Sequence, residues 1–209
     1  MLSPSSLCCT IKKKYFDMYS KDLGQVAASE LSGNLENLML NVMQANEEKY
    51  DPDYHTQAKL EEDAAMLYKK GQGKWGTDEL GLFKFLVKAP PVYLQKLNLV
   101  YADKYGYTLP KVMEKEFGGQ LRDAACFMMG MKLHPDQTVA ELVDKACRGW
   151  GTNELLLTTV LIRYQPILKQ VDAAHKRLYD QSIEDRVISE TGGDYRKVLK
   201  EIIHTGMNL

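Results

Sequence analysis

Two short turns hold most of the groups in this chain that could do chemistry. They are Lys74-Trp75-Gly76-Thr77-Asp78-Glu79 and Gly149-Trp150-Gly151-Thr152-Asn153-Glu154. Glycine accepts backbone dihedrals that other residues avoid, so a glycine turn between helices can aim several carbonyl oxygens at one point. A glutamate follows each turn at a distance: Glu116 lies 40 residues beyond Gly76, and Glu190 lies 39 beyond Gly151. Carbonyls and carboxylates are hard oxygen donors, suited to a hard divalent cation. The plainer reading makes the glycines helix stops and the glutamates solvated charges. The shared register at both turns weighs towards the oxygen-donor reading. Both tryptophans of the chain, Trp75 and Trp150, fall inside these turns, and an indole is an amphipathic ring that favours the membrane–water boundary.

Other constellations carry less. Gly71-Gln72-Gly73-Lys74-Trp75-Gly76-Thr77 lacks the lysine directly after the final glycine, and the strand before it, that a phosphate loop needs. His55, His134, His175 and His204 are scattered, with no helical pair at zinc spacing. Cys8, Cys9, Cys126 and Cys147 read as free thiols of a reducing compartment, because the start of the chain lacks the charge-then-apolar pattern of a secretory signal. Cys126 is expected in a core rather than as a nucleophile. Lys12-Lys13-Lys14 reads as a solvated helix face. With 27 Lys+Arg against 28 Asp+Glu in 209 residues, the near-zero net charge excludes a strongly basic nucleic-acid binder. No apolar run approaches the roughly 18 residues of a membrane span. No nucleophile–base pair or paired acid suggests an enzyme.

The turns must be positioned by helices, and a repeat shows how. Glu30, Glu116 and Glu190 each stand three residues before a glycine: Gly33, Gly119 and Gly193. Apolar residues follow at i, i+3, i+4, i+7 and i+8. They are Leu35, Leu38, Met39, Val42 and Met43; then Leu121, Ala124, Ala125, Met128 and Met129; then Tyr195, Val198, Leu199, Ile202 and Ile203. That is one stripe of an amphipathic helix. The two glycine turns are 75 residues apart, a period long enough for several helices per unit. Five are expected in each, over 61–70, 77–87, 92–105, 108–117 and 119–131, then 138–148, 152–162, 165–179, 182–191 and 193–204. No stretch alternates as a strand would, so the chain reads as all-α.

These linked motifs resemble the annexin repeat, from about Ile11 to His204. Lys74-Trp75-Gly76-Thr77-Asp78-Glu79 resembles the third of the family's four repeats, and Gly193-Asp194-Tyr195-Arg196-Lys197 the end of the fourth. The resemblance implies stacked five-helix repeats, N-terminally incomplete. Residues 1–50 would be a partial repeat of three helices, 51–60 a linker, and 61–133 and 134–209 complete repeats. Glu30 has no glycine turn about 40 residues before it and is expected not to bind metal. The chain is thus expected to be a fragment, a splice form or a shortened member of the family. Uncovered apolar helix faces should favour self-association.

The resemblance also implies calcium as the cofactor, with site residues carried over position by position. One site would use the carbonyls of Gly71, Lys74 and Gly76 with the carboxylate of Glu116. The other would use those of Cys147, Gly149 and Gly151 with Glu190. Three carbonyls and a bidentate carboxylate leave roughly two positions for water or a lipid phosphate oxygen. Trp75, Trp150, Lys74 and Arg148 would meet the membrane. The implied function is calcium-dependent binding to acidic phospholipid surfaces, by a cytoplasmic protein that becomes peripheral to membranes when calcium is present. The alternative is a cytoskeletal or scaffold protein of the same fold with protein partners.

Overall fold

The computed structural model describes residues 4–44, 46–71, 79–149 and 151–209. Among them the chain forms thirteen α-helices, one 3-10 turn and no strand, as the all-α expectation requires. They fall into two compact units, Met1–Leu133 and His134–Leu209.

The first unit holds α1 (Pro4–Tyr19), α2 (Leu23–Glu30), α3 (Gly33–Gln44), α4 (Gln57–Gly71), α5 (Glu79–Lys88), α6 (Pro91–Tyr105), α7 (Leu109–Glu116) and α8 (Gly119–Leu133). Helix α4 packs on α6, α3 on α5, and α8 on both α6 and α7. The core between them contains Leu67, Phe83, Leu86, Leu94, Leu97, Met113 and Met129, all within 2% of full burial. Helix α1 is different. Ile11, Phe16, Met18 and Tyr19 are each more than half exposed, an apolar face left bare.

The second unit holds α9 (Pro135–Cys147), α10 (Glu154–Arg163), a 3-10 turn (Gln165–Ile167), α11 (Leu168–Tyr179), α12 (Ile183–Glu190) and α13 (Gly193–Met207). Helix α9 packs on α10, α11 and α12, and α13 covers α10, α11 and α12. Val143, Leu157, Leu161, Val171, Ile183, Val187 and Leu199 are fully buried.

The two units repeat the same local devices. Thr108 caps α7 by accepting from Lys111 N, and Ser182 caps α12 by accepting from Asp185 N. Each cap satisfies a backbone donor that the helix itself cannot. The first amide of each helix is tied down from the helix before it. Leu109 N donates to Asn98 Oδ1 at 2.8 Å, and Ile183 N donates to Asp172 Oδ1 at 2.9 Å. Helices α6 and α11 both end on a left-handed residue, Gly106 at φ 82° and Asp180 at φ 53°.

Helix boundaries depart from the expected ones where a cap was overlooked. Helix α9 begins at Pro135, three residues early, since proline suits the first helical position. Helix α4 begins at Gln57, inside the stretch read as a linker, with Thr56 Oγ1 accepting from Lys59 N at 3.3 Å. Gln165–Ile167 winds as a 3-10 turn before α11 rather than as its first turn. The apolar stripes are narrower than their periodicity suggests. Leu38, Ala125, Met129, Leu199 and Ile203 are buried, while Val42 is 39% and Val198 56% exposed.

Candidate functional site

The second glycine turn runs from the end of α9 to the start of α10. Cys147 is the last residue of α9. Gly149 at φ 104° and Gly151 at φ 92° then take conformations that a side chain would strain. Asn153 closes the turn: its N–H donates to Ala146 O at 2.8 Å, while its side chain caps α10 by accepting from Leu156 N at 3.0 Å.

Glu190, the last residue of α12, is brought to this turn. Thr152 Oγ1 donates to the Glu190 carbonyl at 2.9 Å. Between the Glu190 carboxylate and the turn stands Arg186, one helical turn earlier on α12. Its Nη1 is 3.1 Å from Glu190 Oε1. Its Nη2 donates to the Cys147 carbonyl at 3.0 Å and is 3.8 Å from Asp144 Oδ1. The other oxygen of Asp144 accepts from Arg148. The cluster is largely withdrawn from water, with side-chain exposures of 21% for Arg186, 26% for Glu190 and 11% for Asp144. Arg186 Nε is buried without a hydrogen-bond partner. The Cys147 thiol is buried too, which pushes its pKa up to about 11; it is a neutral group, and the carbonyl is what Arg186 binds.

A carbonyl and a carboxylate that the resemblance assigns to one cation converge on a single positive group, and that group is a guanidinium. The donor set suits a cation. Two of its members are already satisfied from within the chain. Sequence reasoning missed Arg186 and Asp144, although a signal was present. The residue four before each of the three glutamates is Val26, Val112 and Arg186, so arginine breaks an otherwise apolar register. Trp150 lies outside the described residues. Arg148 is exposed and engaged with Asp144.

The first glycine turn differs. Gly71 ends α4; Lys74, Trp75 and Gly76 lie outside the described residues. Glu116 ends α7 and is exposed. Among the described residues no cation lies within ion-pair distance of it. Val112, where Arg186 stands in the second unit, is 3% exposed. Tyr68 stands three residues before the end of its helix, as Asp144 does in α9. It stacks on Tyr105 at 3.8 Å between ring centroids. Glu30 is exposed at the end of α2. The described residues contain no group of three or more His, Cys, Asp or Glu side chains placed to hold a metal, so any metal here would depend on carbonyls as well.

The annexin family model matches residues 62–128 and 138–202. Annexin A13 of Mus musculus is 30% identical over 195 residues, covering 93% of this chain and 61% of its own length. The chain thus spans about three fifths of that relative. Among solved structures, annexin III superimposes with a TM-score of 0.86 at 24% identity, covering 95% of this chain and 62% of the other. Calcium-bound alpha-14 giardin gives 0.80 at 20%, covering 97% and 66%. At these identities the structural matches speak for the fold.

Proposed function

This chain belongs to the annexin family, and we propose that it binds acidic phospholipid surfaces in a calcium-dependent manner through its glycine turns. The observation that carries the reading is the second turn's geometry: Gly149 and Gly151 turn the backbone at positive φ, and the Cys147 carbonyl and Glu190 carboxylate lie close enough together to bind one group, here the guanidinium of Arg186. That the same fold is found in calcium-bound alpha-14 giardin supports it. The carbonyls of Gly71, Lys74 and Gly76 with Glu116, and those of Cys147, Gly149 and Gly151 with Glu190, are the groups proposed to hold the ion. Calcium held this way supplies open coordination positions for a lipid phosphate oxygen.

The chain's own residues do the rest. Gly149 and Gly151 let the backbone turn. Thr152 fixes the remote helix end against that turn. Trp75 and Trp150 are proposed to lie at the lipid boundary, with Lys74 and Arg148 meeting anionic headgroups at about 1 kcal/mol each. Without calcium the formal net charge of −1 gives no general attraction to an acidic bilayer. The described residues contain no helix long and apolar enough to cross a membrane, and the contact proposed is peripheral, with a cytoplasmic location proposed alongside it. The bare apolar face of α1 supports a second reading, in which protein partners or self-association contribute.

Sedimentation with phosphatidylserine-containing vesicles tests this. The chain should pellet with vesicles in calcium and stay in the supernatant in chelator. Retention in the supernatant under both conditions would favour the scaffold reading.

A further inference from the structure

The second glycine turn carries its own cation. Arg186 reaches two carboxylates and a backbone carbonyl with one guanidinium: Glu190 at 3.1 Å, the Cys147 carbonyl at 3.0 Å and Asp144 at 3.8 Å. Guanidinium is planar and presents several donors in a fixed fork, so it can satisfy oxygens from different elements at once. Two features show that the arrangement is specific to this unit, and a third shows what it costs. Val112 and Val26 occupy the corresponding positions before Glu116 and Glu30. Tyr68 occupies the place of Asp144 relative to its helix end. The buried, unpartnered Arg186 Nε shows a desolvation cost that the surrounding oxygens must offset.

We infer that Arg186 is the resident cation of the second glycine turn, holding α9 and α12 together without metal and competing with calcium for Cys147 and Glu190. The inference rests on the calcium reading proposed above for its second half. Two positive groups cannot share one carbonyl and one carboxylate without strong repulsion. Loading the turn therefore requires the guanidinium to leave, which weakens calcium there. The turn is a closed site by default, and it opens only at calcium levels above those that load the first turn.

The test uses the whole chain and two measurements. In chelator, Arg186→Gln should melt more than about 4 °C below the unsubstituted protein. Arg186→Lys, which keeps the charge but not the fork, should fall between them. Equal melting of all three would overturn the resident-cation role. Calcium binding is then measured by calorimetry in a Glu116→Gln background, so that the second turn reports. Adding Arg186→Gln should tighten binding about tenfold, or about 1.4 kcal/mol, and calcium should recover the lost melting temperature. Unchanged or weaker binding would overturn the competition. Absence of calcium binding in the Glu116→Gln background, with or without Arg186, would also overturn it, while binding by the unsubstituted chain would leave the proposed function standing. If the unsubstituted chain binds no calcium, the proposed function fails and the competition with it, and the melting series alone decides the resident cation.

Discussion

The two units share a helical frame and differ in the charge around their glutamates. Glu116 and Glu190 each end a short capped helix, and each of those helices is anchored by a polar side chain one helix earlier. In the second unit that frame holds Asp144, Arg148, Arg186 and Glu190, two acids and two bases that neutralise one another. In the first unit the corresponding interior is apolar and aromatic, with Val112 buried and Tyr68 stacked on Tyr105, and Glu116 has no cationic partner among the described residues. What separates the two units here is the residue one helical turn before the carboxylate, Val112 in the first and Arg186 in the second.

The largest expected effect separates the glutamates. Glu116→Gln should weaken calcium-dependent vesicle binding at least about tenfold, because it removes the charge of a proposed ligand that has no cationic partner among the described residues. Glu190→Gln should weaken it far less, since that carboxylate is already neutralised by Arg186. Glu30→Gln should leave it unchanged. Equal losses at Glu116 and Glu190 would erase the contrast between the turns, and an effect at Glu30 as large as at Glu116 would undo the site assignment. The readout is the calcium concentration for half-maximal sedimentation with vesicles.

Much of the fold was legible because repetition multiplied weak signals. One glycine after a glutamate means little, but the same pair at Gly33, Gly119 and Gly193 fixed the start of three helices, and all three glycines stand at positive φ near 55–60°. Helix edges were less legible. Pro135 and Thr56 start their helices by local means that periodicity does not register. At the second turn the family resemblance singled out Cys147 and Glu190, and the structure brings both to one guanidinium. Arg186 was not singled out, because a charged residue on an amphipathic helix ordinarily reads as its wet face. Its burial follows from packing against α9, which a single helix cannot reveal. Asp144 was hidden for the same reason and is buried.

A smaller effect tests whether the two anchors are equivalent. Asn98 and Asp172 do the same task for Leu109 N and Ile183 N, but Asp172 also pairs with Lys176 at 2.7 Å. Asp172→Asn imports the first unit's residue. It keeps the acceptor and loses an ion pair whose lysine is 57% exposed, so the denaturation midpoint should barely move, because solvent screens an exposed pair. Asp172→Ala leaves a buried amide unpaired and should cost about 1–3 kcal/mol. Denaturant midpoints measure both. A large loss in the asparagine variant would mean that the charge, rather than the shared hydrogen bond, anchors α12.

The smallest effect concerns the left-handed residues that end α6 and α11. Gly106 at φ 82° is at home there, whereas Asp180 at φ 53° accepts a conformation that costs a side chain roughly 1–2 kcal/mol. Glycine removes that strain but enlarges the conformational freedom of the unfolded chain, which returns about 0.4–1 kcal/mol. The difference favours Asp180→Gly by about 0.5 kcal/mol, and Gly106→Asp should destabilise by a similar or slightly larger amount. Because Asp180 N donates to Lys176 O at 3.0 Å, and Gly106 N to Ala102 O at 2.8 Å, the backbone closure survives both exchanges, so the paired denaturation curves read the dihedral cost net of the change in unfolded-chain freedom. If Asp180→Gly destabilised instead, the aspartate side chain would have to stabilise the end of α11 in a way its glycine counterpart cannot, and the two units would differ in backbone design as well as in charge.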